Sequence, residues 1–398
     1  MKYLITGAGP AGLAFANTLL DIGCDDFLVI EKEKEAGGLC RSVMTDGSPL
    51  DIGGGHFLDV RRPEVDDFVF RFLPENEWDR YERNSQISVN GSMIGSPIEA
   101  NIWQMREEDQ VRYIKSVVSA GCNQGKPRPD KFIDWIRWKL GDRIAEDYMI
   151  PYNQKMFGDD LDSLGTYWLD KLPDVSTDET IISCLERKAY GKQPGHAEFF
   201  YPKKYGYGEL WKRMADRLGN RIIYDTEAEK LDADSNTVND RYTADYLINT
   251  VPLTSYKEIT GIPDRIRAGI KSLRHSSTVI EYHSENLDTD AQWIYYPDPG
   301  LSYHRILVRH NFCPGSSGFW TETNRTRFKS SDAFYYDNEY AYPLNTLGKQ
   351  ETMTDILDFF KEKNILGLGR WGEWQHFNSD AVVERAIGLA RSVCGKGN

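Results

Sequence analysis

The stretch YLITGAGPAGLAFANTLL, residues 3 to 20, restricts the fold more than any other part of the chain. A short apolar run is broken by glycines and then resumes with Leu13, Ala16, Leu19 and Leu20 on one side, which reads as a buried strand, a tight turn and a helix. The glycines fall as Gly7-x-Gly9-x-x-Gly12, with Pro10 and Ala11 inside the motif. Glycine is required there for the turn, for backbone approach to a pyrophosphate and for packing of helix on strand, while the helix N-terminus offers free N–H groups to the anion. A second strand, FLVIEKE, reaches Glu31 and Lys32, the acid standing nineteen residues after Gly12. A carboxylate at that point can bind both hydroxyls of an adenosine ribose and repels a 2′-phosphate. Strand, turn, helix, strand and acid arrive in order, so the segment is a nucleotide-binding unit rather than a plain structural turn.

The residues that follow choose the cofactor. EKEKEAGGLCRS adds Gly37, Gly38, Leu39 and Arg41, and LDIGGGHFL adds Asp51 and then Gly53, Gly54, Gly55 and His56. A nicotinamide dehydrogenase has no need of this second glycine-rich approach, whereas the larger flavin adenine dinucleotide, FAD, does. A further G-x-G-x-x-G occurs near the other end, Gly367-x-Gly369-Arg370-x-Gly372. A second nicotinamide site is disfavoured there, because Trp374, His376 and Phe377 lead into a polar loop before a helix from about Asp380 to Val393. These glycines are expected to serve the cofactor of the first site.

Bulk properties narrow the class. A chain of 398 residues is long enough for a multi-layered enzyme or two to three packed domains, and 40% apolar residues with ten tryptophans and 22 tyrosines can bury a core. The net charge of −13 argues against a nucleic-acid surface. Six scattered cysteines without a C-x-x-C pair suit reduced thiols buried as small hydrophobes. No stretch approaches ~18 uninterrupted apolar residues and no signal peptide is evident, so a cytoplasmic protein without a membrane span is expected. His275, His283, His304 and His310 lack metal spacing, and Asp232-x-Asp234-x-Asn236 lacks the glycine of a calcium loop, so no metal site is expected. G-x-S-x-G and H-E-x-x-H are both missing, which removes common hydrolases.

Farther along, QISVNGSMIGSPI alternates around Asn90-Gly91 and reads as a hairpin. Residues 100 to 195 are mainly helical in pattern, with Phe132, Trp135, Ile136 and Leu140 at helical spacing and Ser176-x-x-Glu179 as a capping box. From Asn220 to Leu253 the pattern is strand, hairpin and strand, the last re-entering the nucleotide sheet; from about 265 to 340 it is an antiparallel sheet. The expected fold is α/β: a discontinuous Rossmann-type FAD-binding domain (1–80, 205–262 and 340–398), a mainly helical insertion (81–204) and an antiparallel sheet domain for substrate (263–339).

In its motifs and their order the chain resembles the UDP-galactopyranose mutases, a branch of the flavin amine-oxidase-like superfamily. The resemblance runs through GAGPAGL, EKEKEAGG, GGGHF, VNGSMIGSPIEANIWQM, PYNQKMFG, YGYGELWKRM, YHRILVRHNF, EYAYP and LGLGRWGEWQHFNSD. It implies a pyranose/furanose mutase acting on a nucleotide sugar in polysaccharide or lipopolysaccharide synthesis, with N5 of a reduced flavin as nucleophile at the anomeric carbon. Such chemistry needs a guanidinium on the departing diphosphate, for which arginine's fork of donors is better suited than lysine.

By resemblance, Arg305 and Arg370 are those arginines and His56 is the histidine of the flavin-side turn. Tyr342 matches a phosphate-binding tyrosine, Tyr152 one that stacks on uracil, and Phe157 an aromatic beside the sugar. Asn378, Ser379, Asp380 and Ala381 would turn backbone N–H groups to the flavin. Two departures bear on the nucleotide-sugar pocket: the arginine expected a few residues after DKLPD (170–174) is here Val175, and His376 replaces a phosphate-binding tyrosine. They leave the sugar and base open, and a homodimer is compatible with the family. Arg309 is undecided between ligand and sheet-edge roles. The alternatives are an FAD-dependent oxidoreductase of the amine oxidase, protoporphyrinogen oxidase or desaturase type, and a binding protein that has lost catalysis.

Overall fold

The computed structural model describes residues 1–59, 61–169, 174–191 and 197–394. The chain forms two compact units, one of residues 1–79, 200–274 and 348–398, the other of residues 80–199 and 275–347.

The first unit is built on a parallel sheet. Strand β1 (Tyr3–Thr6) pairs with β2 (Phe27–Ile30) on one side and with Tyr246–Asn249 on the other; Ile222–Ile223 and Ile365–Gly367 complete the edges. A strand inside a parallel sheet is covered on both faces, which is why YLIT, FLVI and YLIN read as continuous apolar runs and β1 is wholly buried. The order interleaves segments from the start, middle and end of the chain, so this unit is assembled from separated pieces. Helix α1 (Pro10–Asp21) packs against the helices Gly208–Leu218 and Ser379–Cys394. Its seat depends on Gly12: a Cβ there would lie 2.0 Å from the Gly7 carbonyl oxygen.

Two features of this unit correct the sequence reading. Cys24, just past α1, and Cys394, the last residue of the final helix, form a disulfide with Cα atoms 7.0 Å apart, so not every cysteine is a free thiol. The partners are 370 residues apart, and only the packing of the first helix on the last brings them together. Residues Asp264–Ser272, where the expected sheet begins, are helical instead: Pro263 precedes them, and the buried Ile266 and Ile270 fall one helical turn apart.

The second unit carries a seven-stranded sheet in the order Tyr335–Pro343, His275–His283, Phe319–Asn324, Arg305–Val308, Trp293–Tyr295, Ser85–Val89, Ser92–Gly95. It is antiparallel except where Trp293–Tyr295 runs parallel to Ser85–Val89, a pairing that local turn chemistry does not dictate. The hairpin forms as expected, with Asn90 and Gly91 both at positive φ (50° and 72°) in the two-residue turn. Ala291, Ile294, Ile306 and Val308 form an apolar cluster on the sheet. The helices Glu107–Val118, Phe132–Ile144, Ile150–Phe157 and Thr177–Glu186 belong to this unit; Phe132, Trp135, Ile136 and Leu140 are buried, and Ser176 with Glu179 makes the reciprocal capping box. Helix Ile150–Phe157 lies against His275–His283 and Phe319–Asn324.

Candidate cofactor and substrate residues

In the first unit, β1 ends at the turn that begins with Gly7, at φ 96°, and α1 opens with Gly9 as N-cap and Pro10 in the first turn. No side chain caps this helix, so its leading N–H groups remain available to an anion. Glu31 is buried beside the turn, one carboxylate oxygen accepting from Ala8 N (2.6 Å) and the other from Glu33 N (2.9 Å). Burial pushes its pKa up, against the pull of the Glu33 and Ala8 amides. Lys32 is exposed near Glu33. The second glycine turn closes on the first: Gly37 N donates to Ala8 O (2.8 Å), and a Cβ on Gly38 would stand 3.2 Å from the Cα of Gly9. Leu39 follows in the same helical turn, Gly38–Cys40, and Arg41 Nε returns to Gly38 O at 3.1 Å.

The chain's far end joins this surface. Gly369, at φ 80°, packs on Ala11, since a Cβ there would be 2.7 Å from the alanine's own. Gly367 and Gly372 are required for packing: added Cβ atoms would fall 2.3 Å from Gly372 O and 2.1 Å from Asn249 O. A single helical turn, Gly369–Gly372, follows the strand directly, which differs from the expected loop, and the long helix starts at Ser379. Arg370 holds the Phe377 carbonyl through Nε (3.1 Å) and Nη2 (2.9 Å). Its charge also reaches the buried Cys40 thiol, which burial raises to about 12 despite that attraction. His376 is half-buried between the two helical pieces, followed by Asn378; Ser379 and Asp380 are buried, and Ala381 is half-buried. Asp380 pairs with Arg62.

His56 lies past Gly54 and Gly55, with its Nδ1 3.0 Å from Gly54 O and its ring parallel to that of Tyr207, centroids 6.4 Å apart. Tyr207 is fully buried and its hydroxyl meets Ser379 Oγ at 2.7 Å. Sequence reasoning did not single out Tyr207; YGYGELWKRM placed it near a glycine turn but gave no sign of what its ring would face.

In the second unit, Arg305 starts a strand and is directly opposite Glu322 in register. Its Nη2 bonds Glu322 Oε2 at 2.5 Å and lies 3.5 Å from the Tyr342 hydroxyl, while its Nε is buried with no hydrogen-bond partner. Burial raises the pKa of Glu322, but Arg305 and then His304 outweigh it and hold the carboxyl at about 2. His304, fully buried, has Nε2 3.7 Å from Glu322, and burial lowers its pKa. Tyr152 is buried with its ring edge-on to His304 (5.7 Å) and Tyr295 (5.5 Å), and Tyr295 accepts from Arg83 at 2.6 Å. Phe157 meets Tyr342 edge-on at 6.2 Å. Arg305, Tyr342, Phe157 and Tyr152 therefore gather on one part of this unit, with Glu322 and His304 as members that sequence spacing did not reveal.

Arg309 resolves to a structural role: it is wholly buried, donates to Ser317 O and the Tyr282 hydroxyl, and lies over the Tyr282 ring. Val175 is buried. The DKLPD segment that locates the expected loop arginine lies, but for Asp174, outside the described residues.

Residues 10–285 match the family of flavin containing amine oxidoreductases, more than half of the chain, and the protein belongs to that family. The fold is that of UDP-galactopyranose mutase: a crystal structure of the reduced enzyme superposes with a TM-score of 0.90 at 22% identity, covering 100% of this chain and 94% of the other. A fatty acid isomerase from P. acnes superposes at 0.67 and 13% identity, covering 98% of each chain, and putrescine oxidase bound to putrescine at 0.65 and 15%, covering 99% of each. At these identities the likeness is one of fold. Among curated proteins, hydrogen cyanide synthase subunit HcnB of Pseudomonas protegens is 24% identical over 127 residues, 31% of this chain. A protein from the nifH2 3′ region of Methanothermococcus thermolithotrophicus is 49% identical over 53 residues, 13% of this chain. The matches span 25% of the first relative and 50% of the second. No helix of the described residues is long and apolar enough to cross a membrane.

Proposed function

We propose that this protein is an FAD-dependent nucleotide-sugar mutase interconverting pyranose and furanose forms. The observation that carries the reading is Arg305: a half-buried guanidinium oriented by Glu322, with Tyr342 alongside and its buried Nε donor left without a partner. Such a donor, already desolvated and held, suits an oxyanion that gains charge as it departs. The full-length fold likeness to UDP-galactopyranose mutase supports the same reading.

The residues present fit an FAD. The uncapped start of α1 and the close approach of Gly38 to Gly9 make a cradle that side chains would fill, and Glu31 keeps acceptor capacity for ribose hydroxyls beyond its two amide bonds. In the proposal Gly7 to Gly12, Glu31, Lys32, Gly38, Leu39, Gly54 to His56, Gly369, Arg370 and Asn378 to Ala381 hold the cofactor. A reduced flavin supplies a nucleophilic nitrogen for the anomeric carbon. Arg305 and Tyr342 bind the diphosphate and stabilise its departure. Tyr152 receives the base, Phe157 bounds the sugar, and His376 is a further substrate contact. With Val175 and His376 where the family has an arginine and a tyrosine, the base and sugar need not be uridine and galactose.

Protein reduced with dithionite and incubated with UDP, dTDP and GDP sugars should yield a new ring form by chromatography; every sugar unchanged would refute the mutase. The family membership favours a second reading, a flavin oxidoreductase, which predicts substrate-driven flavin reduction or oxygen uptake instead.

A further inference from the structure

Asp51 is a carboxyl with no exposure at all, at the end of the strand Ser48–Asp51 and just before the glycine turn that leads to His56. It accepts from Ser42 Oγ at 2.5 Å, from the Tyr201 hydroxyl at 3.2 Å and from the backbone N–H of Tyr207 at 3.3 Å. Ser42 Oγ in turn accepts from Gly208 N at 2.8 Å, so the acid and its serine hold the successive backbone N–H groups of Tyr207 and Gly208. The loop is fitted to them: a Cβ on Gly206 would fall 2.5 Å from Ser42 Oγ, and one on Gly208 2.4 Å from Ser42 N. What this anchors is the Tyr207 side chain, whose ring lies parallel to His56 and whose hydroxyl bonds Ser379 at 2.7 Å. One buried carboxyl thereby ties together the His56 turn, the loop before the helix Gly208–Leu218 and the start of the last helix.

We propose that Asp51 is a positioning residue of the flavin site, acting through Tyr207 to set where the His56 ring and the Ser379 helix start stand. A buried acid with three donors converging on it is a strong local restraint, because loss of the acceptor leaves those donors unpaired away from water. This rests on the reading that His56 and Ser379 border a flavin. Asp51 itself touches neither His56 nor Ser379, so its effect on the cofactor is indirect.

The test compares apoproteins of the wild type, Asp51→Asn and Tyr207→Phe for FAD affinity by fluorescence quenching, for the visible absorption band of the bound flavin, and for thermal midpoint. Asp51→Asn should weaken FAD by about tenfold, the loss of roughly one buried hydrogen bond, and shift the visible band. Tyr207→Phe, which removes only the hydroxyl to Ser379, should shift the band in the same direction with a midpoint lowered by only about 2–4 °C, the cost of one buried hydrogen bond, a spectral signature that simple destabilisation does not give. Should both variants bind FAD with wild-type affinity and spectrum, or should Tyr207→Phe alone keep the wild-type spectrum, the proposal fails. If the wild type takes up no FAD, the flavin reading falls and takes this proposal with it; wild-type uptake with unaltered variants sinks this proposal only.

Discussion

Replacing Arg305 by methionine tests how the guanidinium is held before any substrate arrives. The side chain is 17% exposed and Glu322 is 1% exposed, so solvent cannot take over the arginine's part. The Glu322 carboxyl is held at about 2 against an ordinary 4.5, burial notwithstanding; at roughly 1.4 kcal/mol per tenfold this difference is worth about 3 kcal/mol. That agrees with the ~3–5 kcal/mol for stranding one member of a buried pair. For a unit of this size, about 2–4 °C is lost per kcal/mol, so Arg305→Met should melt roughly 6–12 °C lower at neutral pH by scanning calorimetry. The sign with pH is set by the carboxyl. In the wild type its contribution is complete above 4.5 and disappears as pH falls from 4.5 to about 2. In Arg305→Met the stranded Glu322 shifts the other way, takes up a proton and relieves its own burial. The deficit should therefore be smaller near pH ~4.5 than near pH ~7.5. Adding Glu322→Gln to Arg305→Met should recover much of the loss, since no charge then remains to strand. Equal melting of Arg305→Met and wild type, or a double variant no better than the single, would refute this account of the pair.

Three further outcomes are expected. Arg370→Ala should abolish mutase turnover while the yellow cofactor stays bound through its remaining contacts; loss of the flavin band on gel filtration would show that this arginine acts only by retaining the cofactor. Gly372→Ala drives a methyl to 2.1 Å from the Asn249 oxygen, an overpacking of backbone that should cost about 1–3 kcal/mol, read as a lower thermal midpoint; wild-type stability would contradict it. Asp51 is raised by burial from 3.8 to about 7. A raised acid stabilises fully below its unfolded pKa, and the contribution is lost as pH climbs through the folded one. Asp51→Asn should thus flatten the decline of the melting midpoint between pH ~4 and ~7, and an unchanged slope would refute it.

Particular residues separate what could be read in advance from what could not. The Asn90-Gly91 turn, the capping box at Ser176 and Glu179, and the helix carrying Phe132 to Leu140 all formed as read, because each is decided within a few residues. The helix Asp264–Ser272 was obscured by the β-branched and aromatic residues that come after it. Glu322 gave no signal beside Arg305, since their adjacency depends on the register of two strands rather than on any spacing. The same holds for Tyr207 against His56.

The amino-acid sequence alone determined the strand–turn–helix with which this protein begins. The Gly7 to Gly12 turn, the uncapped helix and the acid at Glu31 follow from backbone freedom, helix polarity and the length of one strand–helix–strand unit, all local quantities. Only the tertiary structure decided that Gly369 packs on Ala11, that Cys24 meets Cys394 and that the Asp51 carboxyl holds Tyr201 and Tyr207, some 150 residues away. Those contacts are set by sheet order and helix packing over hundreds of residues, which no local period encodes.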